Sequence, residues 1–242
     1  MPDVAEQPSF SAPAETHVFH GLLFDMDGTI IDSTAAIVKH WTSIGKELGV
    51  DPQVILATSH GRRSIDVLKE YDPSKANMPY VQHMEGLLPK TYGADAVEIP
   101  GSRALLDDLE KAGAPWAIVT SGTRPLVTGW IEVMKLAHPK NLVTAEDVQQ
   151  GKPDPACYVL GRKRLNLSET TEMLVLEDAP AGVRAGKGAG FKVVALATTH
   201  AAKELREAGA DWIVRDMRSV GMKKYDRKTG EVSVEFCDAL VE

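Results

Sequence analysis

Five short apolar runs, GLLFD, WAIVTS, NLVTA, MLVLED and KVVALAT, each end at polar or glycine-rich residues and are separated by stretches of helical periodicity. Short runs that are apolar on both faces read as strands buried in a parallel sheet, because helices cover such a sheet above and below. The segment GSRALLDDLEKAG, from Gly101 to Gly113, supplies one covering helix: Ala104, Leu105, Leu106 and Leu109 form its stripe and the closing glycine suits a C-cap. The alternation predicts a doubly wound α/β fold whose ligand crevice lies at the carboxyl ends of the strands.

Those strand ends are unusually polar. In order they carry Asp25 and Asp27, then Thr120 and Ser121, then Glu177 and Asp178. Between the first two strands lie about ninety residues, too many for one crossover helix, and residues 33–97 read as an inserted helical cap. Its helices are expected from Ser33 to Leu48, Arg63 to Tyr71 and Met78 to Lys90, punctuated by Gly49, Pro73 and Gly93. The core then comprises 17–32 and 98–242, and residues 1–16, rich in Pro, Ala and acids, are expected to be a disordered tail. Near the C-terminus, a turn at Lys228-Thr229-Gly230 and an alternating strand from Glu231 to Phe236 are expected to extend the edge of the sheet.

Composition narrows the function. A chain of 242 residues that is 43% hydrophobic buries a substantial core, and a formal charge of −7 argues against partners that need a basic face, whether nucleic acid or anionic membrane. No run approaches the roughly 18 apolar residues of a membrane helix. Cys157 and Cys237 lack metal or disulfide spacing and fit a reducing cytoplasm. A small soluble ligand is expected, and no heptad or large apolar stripe signals an oligomer.

The chemistry concentrates in four segments. Asp25 and Asp27 leave the first strand two residues apart, and carboxylates this close repel each other unless a cation or shared proton intervenes. One carboxylate can attack phosphorus while its neighbour moves a proton, and Gly28 allows the tight turn that follows. Thr120-Ser121-Gly122 offers hydroxyls and backbone amides to phosphate oxygens, and Lys152, between Gly151 and Pro153, is an ammonium on a restricted backbone. Glu177-Asp178, closing an apolar strand, supplies oxygen ligands of the kind magnesium takes.

DMDGT at 25–29, TSG at 120–122, Lys152 and ED at 177–178 together resemble the four ordered motifs of the haloacid dehalogenase superfamily, spanning nearly the whole chain. The resemblance implies that Asp25 is the nucleophile, Asp27 the general acid and base, Ser121 a phosphate ligand and Lys152 the charge neutraliser. It also implies Mg2+ bound by Asp25, Asp27 through its backbone carbonyl, and Asp178, with Glu177 direct or through water. Thr29, Thr120 and Gly122 are further candidate phosphate contacts. The second aspartate, Asp27, points to the phosphatase branch rather than the dehalogenases.

Leaving-group recognition falls to the cap. Ser59-His60-Gly61-Arg62-Arg63, with SGTRP at 121–125, VTAEDVQQGKPDP at 143–155 and EDAPAGVRAGKGAG at 177–190, is similar to fungal glycerol-3-phosphatases and 2-deoxyglucose-6-phosphatases. His60, Gly61 and Arg63 are the expected substrate contacts, and Glu85 and Lys90 are weaker candidates. Arg62 departs from the subgroup pattern, which has a large aromatic there. His17, His20, His40, His83, His138 and His200 show no ligand spacing and are read as structural or exposed, and Trp41 as cap core. The expected substrate is a small phosphate ester, glycerol 3-phosphate first. A hexose or hexitol phosphate, a β-phosphoglucomutase-like transfer and a non-catalytic phosphate- or metal-binding role are the alternatives.

Overall fold

The computed structural model describes residues 9–241. Strand β1 (Glu15–Phe19) leads through one bend to β2 (Gly21–Phe24), and a tight loop reaches β3 (Ile31–Asp32). Four helices follow: α1 (Thr34–Leu48), α2 (Pro52–Ser59), α3 (Ser64–Tyr71) and α4 (Met78–Tyr92). The chain returns through β4 (Val97–Glu98), which pairs antiparallel with β3, so departure and return share a two-stranded ribbon. Alternation then begins with α5 (Ser102–Ala112), β5 (Trp116–Val119), α6 (Arg124–Met134) and β6 (Leu142–Val143). It continues through α7 (Ala156–Arg164), β7 (Met173–Glu177), α8 (Pro180–Gly188), β8 (Lys192–Leu196), α9 (Ala202–Glu207) and β9 (Trp212–Val214). Two longer strands, β10 (Val220–Asp226) and β11 (Glu231–Phe236), follow.

All five expected apolar runs are strands of one parallel sheet of order β6-β5-β2-β7-β8-β9. The chain steps outward from β2 to β5 and β6, then jumps back across β2 to β7. The crevice at such a reversal is where doubly wound sheets bind ligands. Successive side chains alternate between two cores: Leu22 and Phe24, Leu174 and Leu176, and Val194 and Leu196 face one side, while Leu23, Val175, Val193 and Ala195 face the other. Helices α1–α4 close over a third apolar cluster, with Trp41, Ile44, Ile55, Val67, Leu68 and Val81 buried.

Several expectations need correction. The C-terminal strand does not lengthen the parallel sheet. It forms the middle of a separate antiparallel sheet, β1-β11-β10, whose Val232, Val234 and Phe236 pack into the first core. The expected tail is ordered from Ser9 onward, where Phe10 bridges Leu240 and Ala12 N donates to Ala239 O at 3.0 Å, whereas residues 1–8 of that tail lie outside the described residues. Helix α2 was not anticipated, although its Asp51 cap accepting from Gln53 N, with Pro52 next, is an ordinary start signal. On α5 the buried stripe is Leu105, Leu106 and Leu109, and Ala104 is exposed, because at 100° per residue it lies to one side of them.

No helix among the described residues is long and apolar enough to cross a membrane. Because Phe236 is fully buried in the principal core, Phe236→Ala is expected to cost about 3–5 kcal/mol in denaturant unfolding rather than the fraction expected of a peripheral edge. A loss below about 1 kcal/mol would show the C-terminal sheet to be dispensable.

Candidate active site

Asp25 leaves β2 with its backbone N–H donated to Leu176 O at 3.0 Å, which fixes it between β5 and β7. Lys152, in the loop before α7, uses all three ammonium donors: Asp25 Oδ1 at 2.5 Å, Glu177 Oε1 at 2.7 Å and Val119 O at 3.2 Å. Glu177 is saturated. Its Oε1 also accepts from Tyr158 Oη at 2.9 Å, and its Oε2 accepts from Asp178 N at 2.9 Å and Ala179 N at 3.0 Å. Asp178 accepts from Thr29 Oγ1 at 3.0 Å and from Thr199 Oγ1, and Asp27 accepts from Ser33 Oγ at 2.5 Å.

Carboxylate oxygens of Asp25, Glu177 and Asp178 lie within 4.8 Å of one another, with Lys152 bonded to two of the three. Three acids against one ammonium leave an excess of negative charge in a buried site. Burial pushes Asp25 up to about 7 against the pull of Lys152. Burial likewise raises Asp27, and burial with Glu177 and Asp25 nearby holds Asp178 well above the ordinary carboxylate range. Burial alone would lower Lys152, but Asp25 and Glu177 outweigh it and keep the ammonium charged. The all-oxygen donor set and unbalanced charge suit a hard divalent cation.

The tight loop after Asp25 requires Gly28. Its φ is +91°, and a Cβ there would fall on the Asp178 carboxylate. Above the strand ends, a cavity of about 70 Å³ separates them from the cap helices. Asp25, Asp27, Thr120, Ser121, Gly122, His60 and Gly61 all line it. Lys152, Glu177 and Asp178 lie one layer beneath. Ser121 Oγ donates to Gly61 O at 2.9 Å, and Thr120 Oγ1 accepts from Gly122 N at 3.0 Å.

Two expected contacts are placed differently. Thr29 is buried against Asp178 and outside the cavity. Arg63, only 5% exposed, does not line the cavity either. Its guanidinium pairs with Asp66 and donates to the carbonyls of Ala145, Val148 and Gln149, clamping the α2–α3 junction to the loop after β6. Three carbonyls converging on one site suit a planar fork of donors, which is why arginine serves there. Arg62 lines the cavity instead, paired with Glu70 and donating to Thr58 O at 3.3 Å.

Other residues at the site carry little or no sequence signal of their place there. Ser33 orients Asp27 from six residues away but reads in sequence only as a helix start, while Tyr158 and Thr199 orient Glu177 and Asp178 from positions too distant in sequence to give a sign of their partners. Trp41 belongs to the cap core and also lines the cavity, as does buried His40, whose ring meets Trp41 edge-on at 5.4 Å. Burial pushes His40 down to about 4. His60 meets His200 at 5.6 Å between ring centroids, and Lys90 is exposed. Glu85 is only 4% exposed, accepting from Ser64 Oγ at 2.5 Å and Thr123 N at 2.7 Å. Burial pushes its carboxyl up to about 7.

The sequence profile of the family described as haloacid dehalogenase-like hydrolase matches residues 22–196, from β2 through β8. The chain belongs to the haloacid dehalogenase-like hydrolases. This hydrolase is 39% identical over 226 residues to glycerol-1-phosphate phosphohydrolase 1 of Saccharomyces cerevisiae, covering 90% of each chain. It is 36% identical over 221 residues to hexitol phosphatase A of Escherichia coli, covering 89% of this chain and 98% of that one. Among solved structures, a hydrolase from Pseudomonas syringae superposes with a TM-score of 0.69 at 26% identity, covering 81% of this chain and 94% of that one. With that family and those relatives, the hydrolase is a phosphatase.

His40 makes stability depend on pH. Its folded value near 4 lies below an unfolded value near 6.5, so the unfolded chain binds the proton first as pH falls. The contribution is fully present above about 6.5 and is lost between there and about 4, amounting to roughly 3 kcal/mol. Between pH 7 and 4 the raised carboxyls of Asp25 and Glu85 act in the opposite direction, so the His40 effect is read as a difference. In urea unfolding the wild-type chain is expected to lose roughly 3 kcal/mol relative to His40→Gln over that range. An unchanged pH dependence in the variant would place the titration elsewhere.

Proposed function

We propose that this phosphatase hydrolyses a small polyol or sugar phosphate, glycerol phosphate first and a hexitol phosphate second, through a covalent aspartyl phosphate on Asp25. The observation that supports this most strongly is the placement of Asp25, paired at 2.5 Å with Lys152 at the floor of a cavity whose roof is supplied by the cap helices. Relatives named for glycerol 1-phosphate and for hexitols support the substrate class. On this reading, residues 33–97 are a cap domain and 17–32 with 98–242 the catalytic core. Two unpaired cysteines are consistent with a reducing cytoplasm, and the resemblance to the fungal phosphatases implies a monomer.

The steps follow from the side chains. Asp25 Oδ attacks phosphorus while the ester P–O bond breaks, and Asp27 gives its proton to the departing alkoxide. The raised Asp27 carboxyl keeps that proton available. Asp27 then takes a proton from water, whose oxygen attacks phosphorus and breaks the Asp25–O–P bond, releasing inorganic phosphate. Lys152 offsets phosphate charge, and Ser121 holds a phosphate oxygen once its hydroxyl turns from Gly61 O.

Asp25, Asp178 and the Asp27 backbone carbonyl are the groups that would hold Mg2+. Glu177, with both oxygens already occupied, positions Lys152 and Asp178. A bound divalent cation supplies positive charge that lets an anionic nucleophile approach an anionic ester.

Phosphate release from glycerol 1-phosphate, glycerol 3-phosphate, mannitol 1-phosphate and 2-deoxyglucose 6-phosphate, with magnesium or chelator, tests the reading. Magnesium-dependent turnover preferring one polyol phosphate is expected, and Asp25→Asn should lower kcat by at least about 10³ with the circular dichroism spectrum retained. Comparable turnover in that variant would eliminate the covalent route.

A further inference from the structure

The cavity roof contains polar groups that the phosphate chemistry does not use. Ser59 is 5% exposed and lines the cavity, yet its Oγ has no hydrogen-bond partner among the described residues. His40, held neutral by burial, presents one ring donor and one ring acceptor. Glu85 has one donor on each oxygen, Ser64 Oγ and Thr123 N, and a carboxylate oxygen accommodates more than one. Glu85 has no ion-pair partner among the described residues, and the one guanidinium lining the cavity, Arg62, is paired with Glu70.

We infer that Glu85, with Ser59 and His40, forms a hydroxyl-reading subsite that selects uncharged polyhydroxyl leaving groups and rejects anionic ones. The inference rests on the phosphomonoester reading above and specifies how the leaving group is chosen. A hydroxyl of the leaving group donates to Glu85, and another pairs with the unpartnered Ser59 Oγ. Above about pH 7, where Glu85 is ionised, a second phosphate or a carboxylate would instead bring like charge against a buried acid without a cation, a penalty that hydroxyl groups do not incur. The same constraint disfavours a bisphosphate in the cavity, and hence the mutase alternative. The apolar wall from Ile37, Trp41 and Leu126 accommodates the C–H faces of a short carbon chain.

Glu85 also ties the cap to the N-terminus of α6 through Thr123 N, so a purely structural role has to be separated from recognition. Three probes do this in the full-length enzyme with magnesium: glycerol 1-phosphate, p-nitrophenyl phosphate, which has no leaving-group hydroxyl to read, and phosphoglycolate, which carries a carboxylate. For Glu85→Gln, the ratio of kcat/KM for glycerol 1-phosphate to that for p-nitrophenyl phosphate should fall at least about tenfold, and the ratio for phosphoglycolate to glycerol 1-phosphate should rise by a similar factor. Ser59→Ala, which removes an unpartnered hydroxyl and so spares the fold, should raise KM for glycerol 1-phosphate about three- to tenfold more than for the aryl ester.

Equal losses on all three probes in Glu85→Gln would show only a cap-to-core tie and overturn the subsite, as would unchanged ratios in both variants. Wild-type turnover of the aryl ester without preference for the polyol ester would overturn the subsite while leaving the phosphatase reading intact. No turnover of any probe would overturn both.

Discussion

The buried ion cluster of Asp25, Lys152 and Glu177 is the constraint around which the molecule is arranged. An ammonium taken out of water is tolerated only when its protons are matched by well-placed acceptors. Here the acceptors come from three neighbouring strands: Asp25 at the end of β2, the Val119 carbonyl at the end of β5 and Glu177 at the end of β7. The pairings Phe24 with Ile118 and Phe24 with Leu176 set those ends level. A one-residue slip would turn every side chain to the opposite face and strand the lysine. Sheet register and site chemistry are therefore one requirement.

The second requirement is that the cap be held over this floor without filling it. Arg63 clamps three carbonyls of the β6 loop, Glu85 takes the Thr123 N–H, Gln82 donates to Glu146 at 2.8 Å and Ser121 donates to Gly61 O. Most of these ties lie beside the cavity. Ser121 is different, since its hydroxyl donates to Gly61 O and, on the proposed function, turns to phosphate only by releasing that carbonyl. On that proposal, binding at the floor is coupled to a contact with the roof, as expected where closure over substrate accompanies catalysis.

Much of this was legible in the sequence, for physical reasons. Strands buried on both faces announce themselves as unbroken apolar runs, and polar residues ending such runs gather at the crevice: Asp25, Asp27 and Ser121 line the cavity, and Asp178 lies beneath it against Thr29 and Thr199. Lys152 needed the order of the motifs, because a lone lysine carries no signal of burial. Arg63 and Arg62 show the limit. Adjacent arginines on a helix-flanking turn look equivalent in sequence, and only the packing reveals that the first to line the cavity is Arg62 while Arg63 serves the clamp. The hydroxyls of Tyr158 and Thr199 are illegible because their acids lie 19 and 21 residues away, Ser33 reads only as a helix start although Asp27 is six residues before it, and the C-terminal sheet is misplaced because alternation identifies a strand without naming its partner.

The claim that Asp25 carries the phosphoryl group is tested most directly by rapid acid quench during turnover of a polyol phosphate, borohydride reduction and peptide mass spectrometry. The account predicts conversion of residue 25 from aspartate to homoserine, dependent on substrate and absent without magnesium. An unmodified Asp25 peptide under conditions of full turnover, or reduction at another carboxylate, would contradict it.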